Sequence, residues 1–366
     1  MTESHKELPQ PASVEALGWR GFFDNQVTEE ERSECTPARV IAVHRDALVV
    51  HDGNQELRLQ LGRQWSKTTS HERPTTGDWL LLDSNREWIS RMLSRESVIK
   101  RVSAGVDAGQ QTQEQAIAAN VDTIFVVTSA NDEFSESRLE RYLALAHNAG
   151  IEPVVVVTKC DLTHKADDFR NRTLALTDVP VTLVNALDES TVHDLYPWLA
   201  SGNTVAMMGS SGVGKSTLLN TLAGVDIQDT GDVRDNDKRG RHTTTSRSIH
   251  LLGNGALMLD TPGIRELTFA FGQETLSEMF QDIEDLIPQC KFSDCAHESE
   301  PGCAINAAID ADKLDRRRFE NYQKMLEEES EHTQTIDENR LEKRRYKNQK
   351  MEPGPRDSKK KRKRRI

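Results

Sequence analysis

The chain has 366 residues, 36% of them hydrophobic and 29% charged, with a net charge of −12, and that length accommodates two or three domains of roughly 100–200 residues. No apolar run approaches the ~20 residues that cross a bilayer, and the opening MTESHKELPQPASVEALG has no basic start followed by an apolar block, which excludes a secretory signal and predicts a cytoplasmic protein. The charge is uneven, because residues 339–366 hold 14 Lys/Arg against 3 Asp/Glu, a net +11 that leaves −23 on the other 338 residues.

Residues 1–35 are polar, with Pro9, Pro11 and a TEEERSE run, and are expected to form a flexible leader. Five short β-type segments follow within residues 36–96: ARVIAVH, ALVVHD, ELRLQL, DWLLLD and WISRML, divided by turn-formers such as DGN and PTTGD. Five strands in about sixty residues predict a small β-barrel. The OB-fold is the commonest five-stranded barrel of this size and often binds oligonucleotides; an SH3-like barrel fits the same pattern.

From residue 97 to 272 the pattern changes. The apolar runs VDTIFVVT, IEPVVVVT, VPVTLVNA, TVAMMG and ALMLDTPG alternate with helical stretches such as SESRLERYLALAHNAG. Near-continuous Val/Ile/Leu runs are strands buried on both faces, and helices between them are parallel crossovers. A doubly wound α/β domain is predicted.

Residues 209–217, GSSGVGKST, satisfy G-x-x-x-x-G-K-[ST] after a strand and at the start of a helix, the context that a phosphate loop requires. Gly209, Gly212 and Gly214 let the backbone curl, so that N–H groups of Ser210, Ser211 and Val213 and of the helix start face phosphate. Lys215 reaches the β- and γ-phosphates, the Ser216 hydroxyl holds Mg²⁺, and Thr217 lies beside the phosphates. DTPG follows the strand ALMLD; Asp260 can hold Mg²⁺ through water and the Gly263 N–H can sense the γ-phosphate. Between these motifs lies RGRHTTTSR, a switch segment in character, in which one of Thr243, Thr244 and Thr245 is expected as a Mg²⁺ ligand.

The strand VVVVTKCD ends in Thr158, Lys159, Cys160 and Asp161. The Asp161 carboxylate can accept from guanine N1–H and the 2-amino group, two donors that adenine does not offer together, and the Lys159 stem can stack over the base. Thr158 stands where such loops usually carry Asn. Asn185–Ala186 ends a further strand and can offer backbone groups to guanine O6. The base loop precedes the phosphate loop by about fifty residues, the reverse of the usual order. All these elements sit at strand ends of one parallel sheet, which can be cut and rejoined at another connection without moving them. The order is therefore that of a circularly permuted GTPase.

The order TKCD, GSSGVGKST, GRHTTTS, DTPG behind a β-barrel resembles the RsgA/YjeQ family of circularly permuted, ribosome-associated GTPases, over roughly residues 36 to 330. The resemblance implies GTP hydrolysis stimulated by the small ribosomal subunit and a role in its late maturation. Ile264 follows DTPG, where many GTPases place a water-orienting Gln; intrinsic hydrolysis is expected to be slow, with His242 the candidate replacement, or a group supplied by the ribosome.

Residues 273–330 are predicted as a helical module. Leu276, Met279, Phe280, Ile283, Leu286 and Ile287 recur at helical spacing in ETLSEMFQDIEDLIP, and KLDRRRFENYQKMLEEE presents Leu314, Phe319, Tyr322, Met325 and Leu326. Between them, Cys290, Cys295, His297 and Cys303 make a C-x₄-C-x-H-x₅-C set suited to one structural Zn²⁺. The other two of the five cysteines, Cys35 and Cys160, are expected to be ordinary thiols. Residues 331–366 form a basic tail, expected to be disordered in isolation and to seek RNA or another polyanion. A monomer is expected. Two rival functions fit parts of the pattern: a P-loop ATPase or kinase, against which Asp161 argues, and a nucleotide-regulated RNA-binding scaffold with little turnover of its own.

Overall fold

The computed structural model describes residues 9–44, 47–62, 65, 72–103, 113–225, 247–260, 273–328 and 330. The five expected N-terminal strands form: β1 (Thr36–Val43), β2 (Ala47–His51), β3 (Glu56–Gln60), β4 (Trp79–Leu82) and β5 (Ile89–Met92). They pair antiparallel in the order β3-β2-β1-β4-β5 around Ala38, Val40, Leu48, Val50, Leu80 and Leu82. A two-stranded ribbon, β6 (Val98–Ser103) and β7 (Gln113–Ala119), leads into the second region.

There β8 (Thr123–Ser129), β9 (Glu152–Thr158), β10 (Val181–Leu183), β11 (Thr204–Met208), β12 (Arg247–Leu251) and β13 (Leu257–Asp260) lie in the order β10-β9-β8-β11-β13-β12. The first five in that row are parallel and β12 is antiparallel to β13. The chain enters mid-sheet at β8, winds out to β10, returns to the middle at β11 and then fills the other half. Such a reversal of winding leaves a crevice at the strand ends between β8 and β11, where ligands bind in open α/β sheets. All seven residues of β8 are buried, because helices cover both faces.

The helix Glu136–Asn148 shows how one crossover is specified. Ser135 caps it by accepting the Arg138 N–H, one of the amides that a helix start leaves unpaired. Leu139, Leu143, Ala144 and Ala146 recur on its buried face, and Gly150 at φ 68° turns the chain toward β9.

Residues 9–35 depart from the expected flexible leader. Thr28 and Glu31 form a reciprocal capping box on the helix Glu29–Glu34. Leu17 and Phe23 are 1% exposed and cover Trp79, Leu81 and Leu257. The polar composition concealed two apolar anchors that the outer face of β4 needs for its own burial. The predicted helix ETLSEMFQDIEDLIP also differs. It is broken into Gln273–Met279, Gln281–Glu284 and a 3₁₀ turn at Ile287–Gln289. The break lies at Phe280, outside helical geometry at φ −112°, ψ 35°; its ring is fully buried against Tyr322, 5.3 Å between centroids. Tertiary packing outweighs helical continuity there.

Two buried charges tie the regions together. Arg39, on β1, is 1% exposed. Its guanidinium donates to the Leu17 carbonyl, to Asn120 O at 2.9 Å and to Gly77 O at 3.3 Å. Burial pushes it down to about 10, with Asp122 opposing. Glu140, on the helix Glu136–Asn148, is fully buried. Its carboxylate accepts from Arg317 and Arg318 at 2.9 Å each and from Asn321 at 2.7 Å, all on the helix at 316–328. Leu276, Phe280, Ile283, Phe319 and Tyr322 share one core with Leu139 and Leu143. The tail at 331–366 lies outside the described residues. No described helix is long and apolar enough to cross a membrane.

Arg39→Met leaves the buried Leu17 and Asn120 carbonyls without this donor, while Gly77 O keeps the Asn120 side-chain amide. We expect it to destabilise the protein by ~2–5 kcal/mol, at ~1–3 kcal/mol for each buried carbonyl left unsatisfied. A urea unfolding midpoint unchanged from wild type would contradict this.

Candidate nucleotide site and metal centre

Base loop and phosphate loop meet at the crevice between β8 and β11. After β11 the chain runs through Gly209 at φ 151°, Gly212 at 79° and Gly214 at 98°. A Cβ on Gly209 would lie 2.1 Å from Val127 O, so strand β8 itself forbids a side chain; around Gly212 there is open space, and the demand is conformational. The helix Lys215–Ala223 follows, with Ser216 and Thr217 half-buried in its first turn.

Lys215 is 8% exposed. Its Nζ donates to Gly209 O at 2.7 Å and to the Ser210 carbonyl. The ammonium is thus held inside the curl of the loop, on acceptors of the kind that phosphate oxygens provide. The loop is gripped from β9 as well. Thr158 Oγ1 lies within reach of the Val213 carbonyl and 3.0 Å from Thr128 O; one hydroxyl proton serves two acceptors, where an Asn amide would bring two donors. Lys159, at φ 57°, donates from Nζ to Gly212 O at 2.7 Å. That left-handed residue turns the chain into the 3₁₀ turn Cys160–Leu162, leaving Asp161 exposed and Cys160 half-buried. Burial pushes the Cys160 thiol up, with Asp161 adding to the effect.

The loop after β10 closes the same end of the sheet. Ala186 O accepts from Thr221 Oγ1 of the phosphate-loop helix at 2.6 Å, and Asn185 Oδ1 accepts from Leu187 N at 3.0 Å. Asp260 ends β13 opposite Ser248. Its side chain lies outside the described residues, as do Thr261–Gly263, Ile264, His242 and Thr243, Thr244 and Thr245. One contact had no signal in the motifs: Arg138 donates to Ser210 Oγ at 2.9 Å. The helical pattern marks its position as solvent-facing, and its partner is 72 residues away.

Cys290, Cys295, His297 and Cys303 converge, with all four ligand atoms within 4.8 Å of one another. His297 Nδ1 is 3.5 Å from both Cys290 Sγ and Cys303 Sγ. Tetrahedral bonds of ~2.1–2.3 Å put ligand atoms roughly 3.4–3.8 Å apart, so the set fits a metal ion. Backbone amides support the sulfurs: Ala304 N–H points to Cys290 Sγ and Asn306 N–H to Cys303 Sγ, each at 3.4 Å. At Cys290, where burial alone would raise the thiol, the Ala304 amide helps hold it below its ordinary value. The loop is further gathered by Glu300, whose carboxylate accepts the amides of Ala296, Glu298 and Ser299. The His297 ring meets Phe319 edge-on at 5.8 Å, which joins the centre to the module's core. Among the described residues Cys35 and Cys160 join no such cluster.

Comparison with known proteins agrees with this geometry. The family model described as RsgA GTPase matches residues 92–270; an ABC transporter model matches residues 192–349, a span holding the same phosphate loop. The chain is 46% identical over 334 residues to the small ribosomal subunit biogenesis GTPase RsgA 2 of Vibrio vulnificus, covering 90% of this chain and 92% of the relative. It is 44% identical over 323 residues to the small ribosomal subunit biogenesis GTPase RsgA of Xanthomonas oryzae, covering 87% and 85%. The crystal structure of YjeQ from Thermotoga maritima superposes with a TM-score of 0.57 at 25% identity, covering 81% of this chain and 98% of that one. YloQ, a circularly permuted GTPase, shares the fold with a TM-score of 0.52 at 22% identity, covering 81% and 96%.

Lys215→Ala is expected to abolish nucleotide hydrolysis while leaving the thermal melt close to wild type, since the lysine's partners are loop carbonyls at the crevice; unchanged turnover would exclude this loop as the site. Freshly purified protein never exposed to chelator is expected to carry one metal ion per chain by elemental analysis. Cys303→Ala should lose that ion and loosen the C-terminal module while nucleotide affinity stays within about threefold, because the centre and the crevice share no ligand; a metal content equal to wild type in that variant would refute the assignment.

Proposed function

The chain belongs to the RsgA family of GTPases, and on that footing we propose that it binds and hydrolyses GTP, acts on the small ribosomal subunit in its late maturation, and couples hydrolysis, stimulated by the subunit, to its own release. The observation that carries this reading is the meeting of Lys159 and Thr158 with Gly212 and Val213. A base-reading loop and a phosphate loop from distant parts of the chain are bonded to each other at the crevice where a permuted sheet would place a nucleotide. The curated relatives bear that function in their names.

In this reading Asp161 accepts from guanine N1–H and its 2-amino group, and the Lys159 stem lies along the base. The amides from Gly209 to Gly214 face the phosphates, and Lys215 Nζ exchanges its two carbonyls for phosphate oxygens. Ser216 and one of Thr243, Thr244 and Thr245 would hold Mg²⁺, which supplies charge neutralisation at the β- and γ-phosphates; Asp260 would support it through water. With Ile264 after DTPG the chain brings no amide to orient the attacking water, so His242 or the ribosome completes the site. The ion at Cys290, Cys295, His297 and Cys303 is assigned as structural Zn²⁺, since three thiolates and one imidazole close a tetrahedron with no position for substrate.

We assign residues 36–96, 97–272 and 273–330 to three units followed by a basic tail from 331, with 9–35 joined to the first unit. The antiparallel order β3-β2-β1-β4-β5 suits an OB-fold barrel. Barrel, metal module and tail are assigned to the ribosomal RNA, in a cytoplasmic monomer.

Purified small subunits should raise GTP turnover by at least about tenfold, the lower range of what a trans-acting element supplies to a GTPase being larger still. Asp161→Asn should weaken GTP binding by roughly 10- to 100-fold and relax the preference over ATP, as loss of a charged hydrogen-bond acceptor does. Equal affinity of the wild type for GTP and ATP, or turnover indifferent to small subunits, would overturn the reading.

A further inference from the structure

The helix Glu136–Asn148 makes a contact with the phosphate loop that none of the nucleotide motifs contains. Arg138 sits in its first turn, where its own amide is bonded to the Ser135 cap at 3.4 Å. Nη1 donates to Ser210 Oγ at 2.9 Å, and Nη2 donates to Glu133 O at 3.1 Å. The Glu133 carboxylate lies 3.8 Å away, and the side chain is 45% exposed. One end of the guanidinium is therefore tied to the chain just before the helix and the other to the second residue of the phosphate loop.

The helix that carries Arg138 is held against movement. Leu139, Leu143 and Ala144 are buried in the core on one side. Two residues beyond Arg138, the buried Glu140 carboxylate is bonded to Arg317, Arg318 and Asn321. Glu136, one turn before Glu140, is paired with Arg172 at 3.0 Å and with Arg317 at 3.1 Å. Sliding or rolling the helix would strand a buried charge, which costs several kcal/mol. The reach of Arg138 is set by that clamp.

Among the described residues, the phosphate loop is gripped by Lys215 on Gly209 and Ser210, Arg138 on Ser210, Lys159 on Gly212, and Thr158 on Val213. Of these, the Lys215 contact is the one that phosphate competes for. When Lys215 turns to phosphate, the Gly209 and Ser210 carbonyls lose its ammonium, and the first half of the loop must keep its curl by other means. We propose that Arg138 is a positioning residue for the nucleotide reaction. It holds Ser210 in place through that exchange, so that the loop amides stay aimed at the phosphates. This rests on the GTPase reading above and adds to it a residue outside the family's nucleotide motifs.

The test uses the full-length protein, with fluorescent GDP and a non-hydrolysable GTP analogue for affinity and GTP turnover on small subunits for rate. Arg138→Gln should weaken both nucleotides by about three- to tenfold, a charge-assisted hydrogen bond discounted for exposure. KM should rise by the same factor with kcat within about twofold, because the contact is made to the loop and not to the reacting atoms. Arg138→Lys, which keeps a charged donor able to span to Ser210 Oγ, should recover most of the affinity. Ser210→Ala removes only the acceptor and should cost as much as Arg138→Gln, and the double variant should cost no more than either alone. Metal content and melting temperature report that the variants are folded; if Arg138→Gln is not, Ser210→Ala and Arg138→Lys carry the same expectations. Unchanged affinity in Ser210→Ala, or losses that multiply in the double variant, would overturn the proposal while leaving the GTPase reading intact. A wild-type chain that binds no guanine nucleotide would overturn both.

Discussion

A single buried guanidinium decides how the first third of the molecule sits on the rest. Among the described residues no carboxylate forms an ion pair with Arg39; its charge is spread over carbonyls of Leu17, Gly77 and Asn120. A buried charge is tolerable only if its donors are matched, and these acceptors come from three separate segments: the N-terminal stretch, the loop before β4 and the chain leading into β8. None of the three alone could solvate it. Around this point the backbone is tailored. A Cβ on Gly77 would lie 1.9 Å from Ala119 O, and Asn120 adopts φ 56° while its side-chain amide donates to Gly77 O at 2.9 Å. The pairing of β1 with β12, at Ala42 with Ser248 and Val43 with Arg247, makes the five N-terminal strands continuous with the α/β sheet.

The opposite side of that sheet is fixed by a charge of the other sign. Glu140 is held by Arg317 and Arg318, and Arg318 is tied in turn to Asp282 at 2.8 Å and to Met279 O at 2.9 Å. The C-terminal module is thereby docked by paired ions in addition to an apolar core. Such a pair adds little net stability over a hydrophobic substitute, but breaking it is costly, so it acts as a register for one docking geometry. The Cys/His cluster meets the same module's core through His297 and Phe319, and a bound metal would organise a loop whose one large apolar residue, Phe292, is 42% exposed.

Permutation gives this arrangement its functional consequence. In chain order the DTPG segment is followed directly by the helix Gln273–Met279 and the module, so the segment expected to sense the γ-phosphate has a short covalent path to the metal centre. At the other end the N-terminal strands are joined ahead of β8, and β1 pairs with β12, the strand that follows the threonine-rich segment. Both flanking units thus border the strands next to the segments proposed to respond to nucleotide, and an affinity difference of ~1–3 kcal/mol between nucleotide states would be enough to couple them to the proposed ribosomal surface.

The sequence by itself determined what depends on local geometry and on fixed spacing. Gly209, Gly212, Gly214 and Lys215 are legible because a phosphate loop leaves few residue choices at each position. The Cys290–Cys303 set is legible because tetrahedral ligation needs donors at short, definite separations, and β8, β9 and β11 because strands buried on both faces cannot hide their apolar runs. Only the tertiary structure decided the rest. Leu17 and Phe23 look like stray apolar residues in a polar leader until the outer face of β4 is there to receive them. Phe280 reads as one position of a helix, yet the fit of its ring against Tyr322 breaks that helix. Arg39, Arg138 and Glu140 read as surface charges, because the period of a strand or helix says which face a residue occupies but not what will be packed on it. Apart from the contact of Arg138 with Glu133 O, five residues back, the partners named for them lie between 22 and 181 residues away, and no local pattern carries information across such a separation.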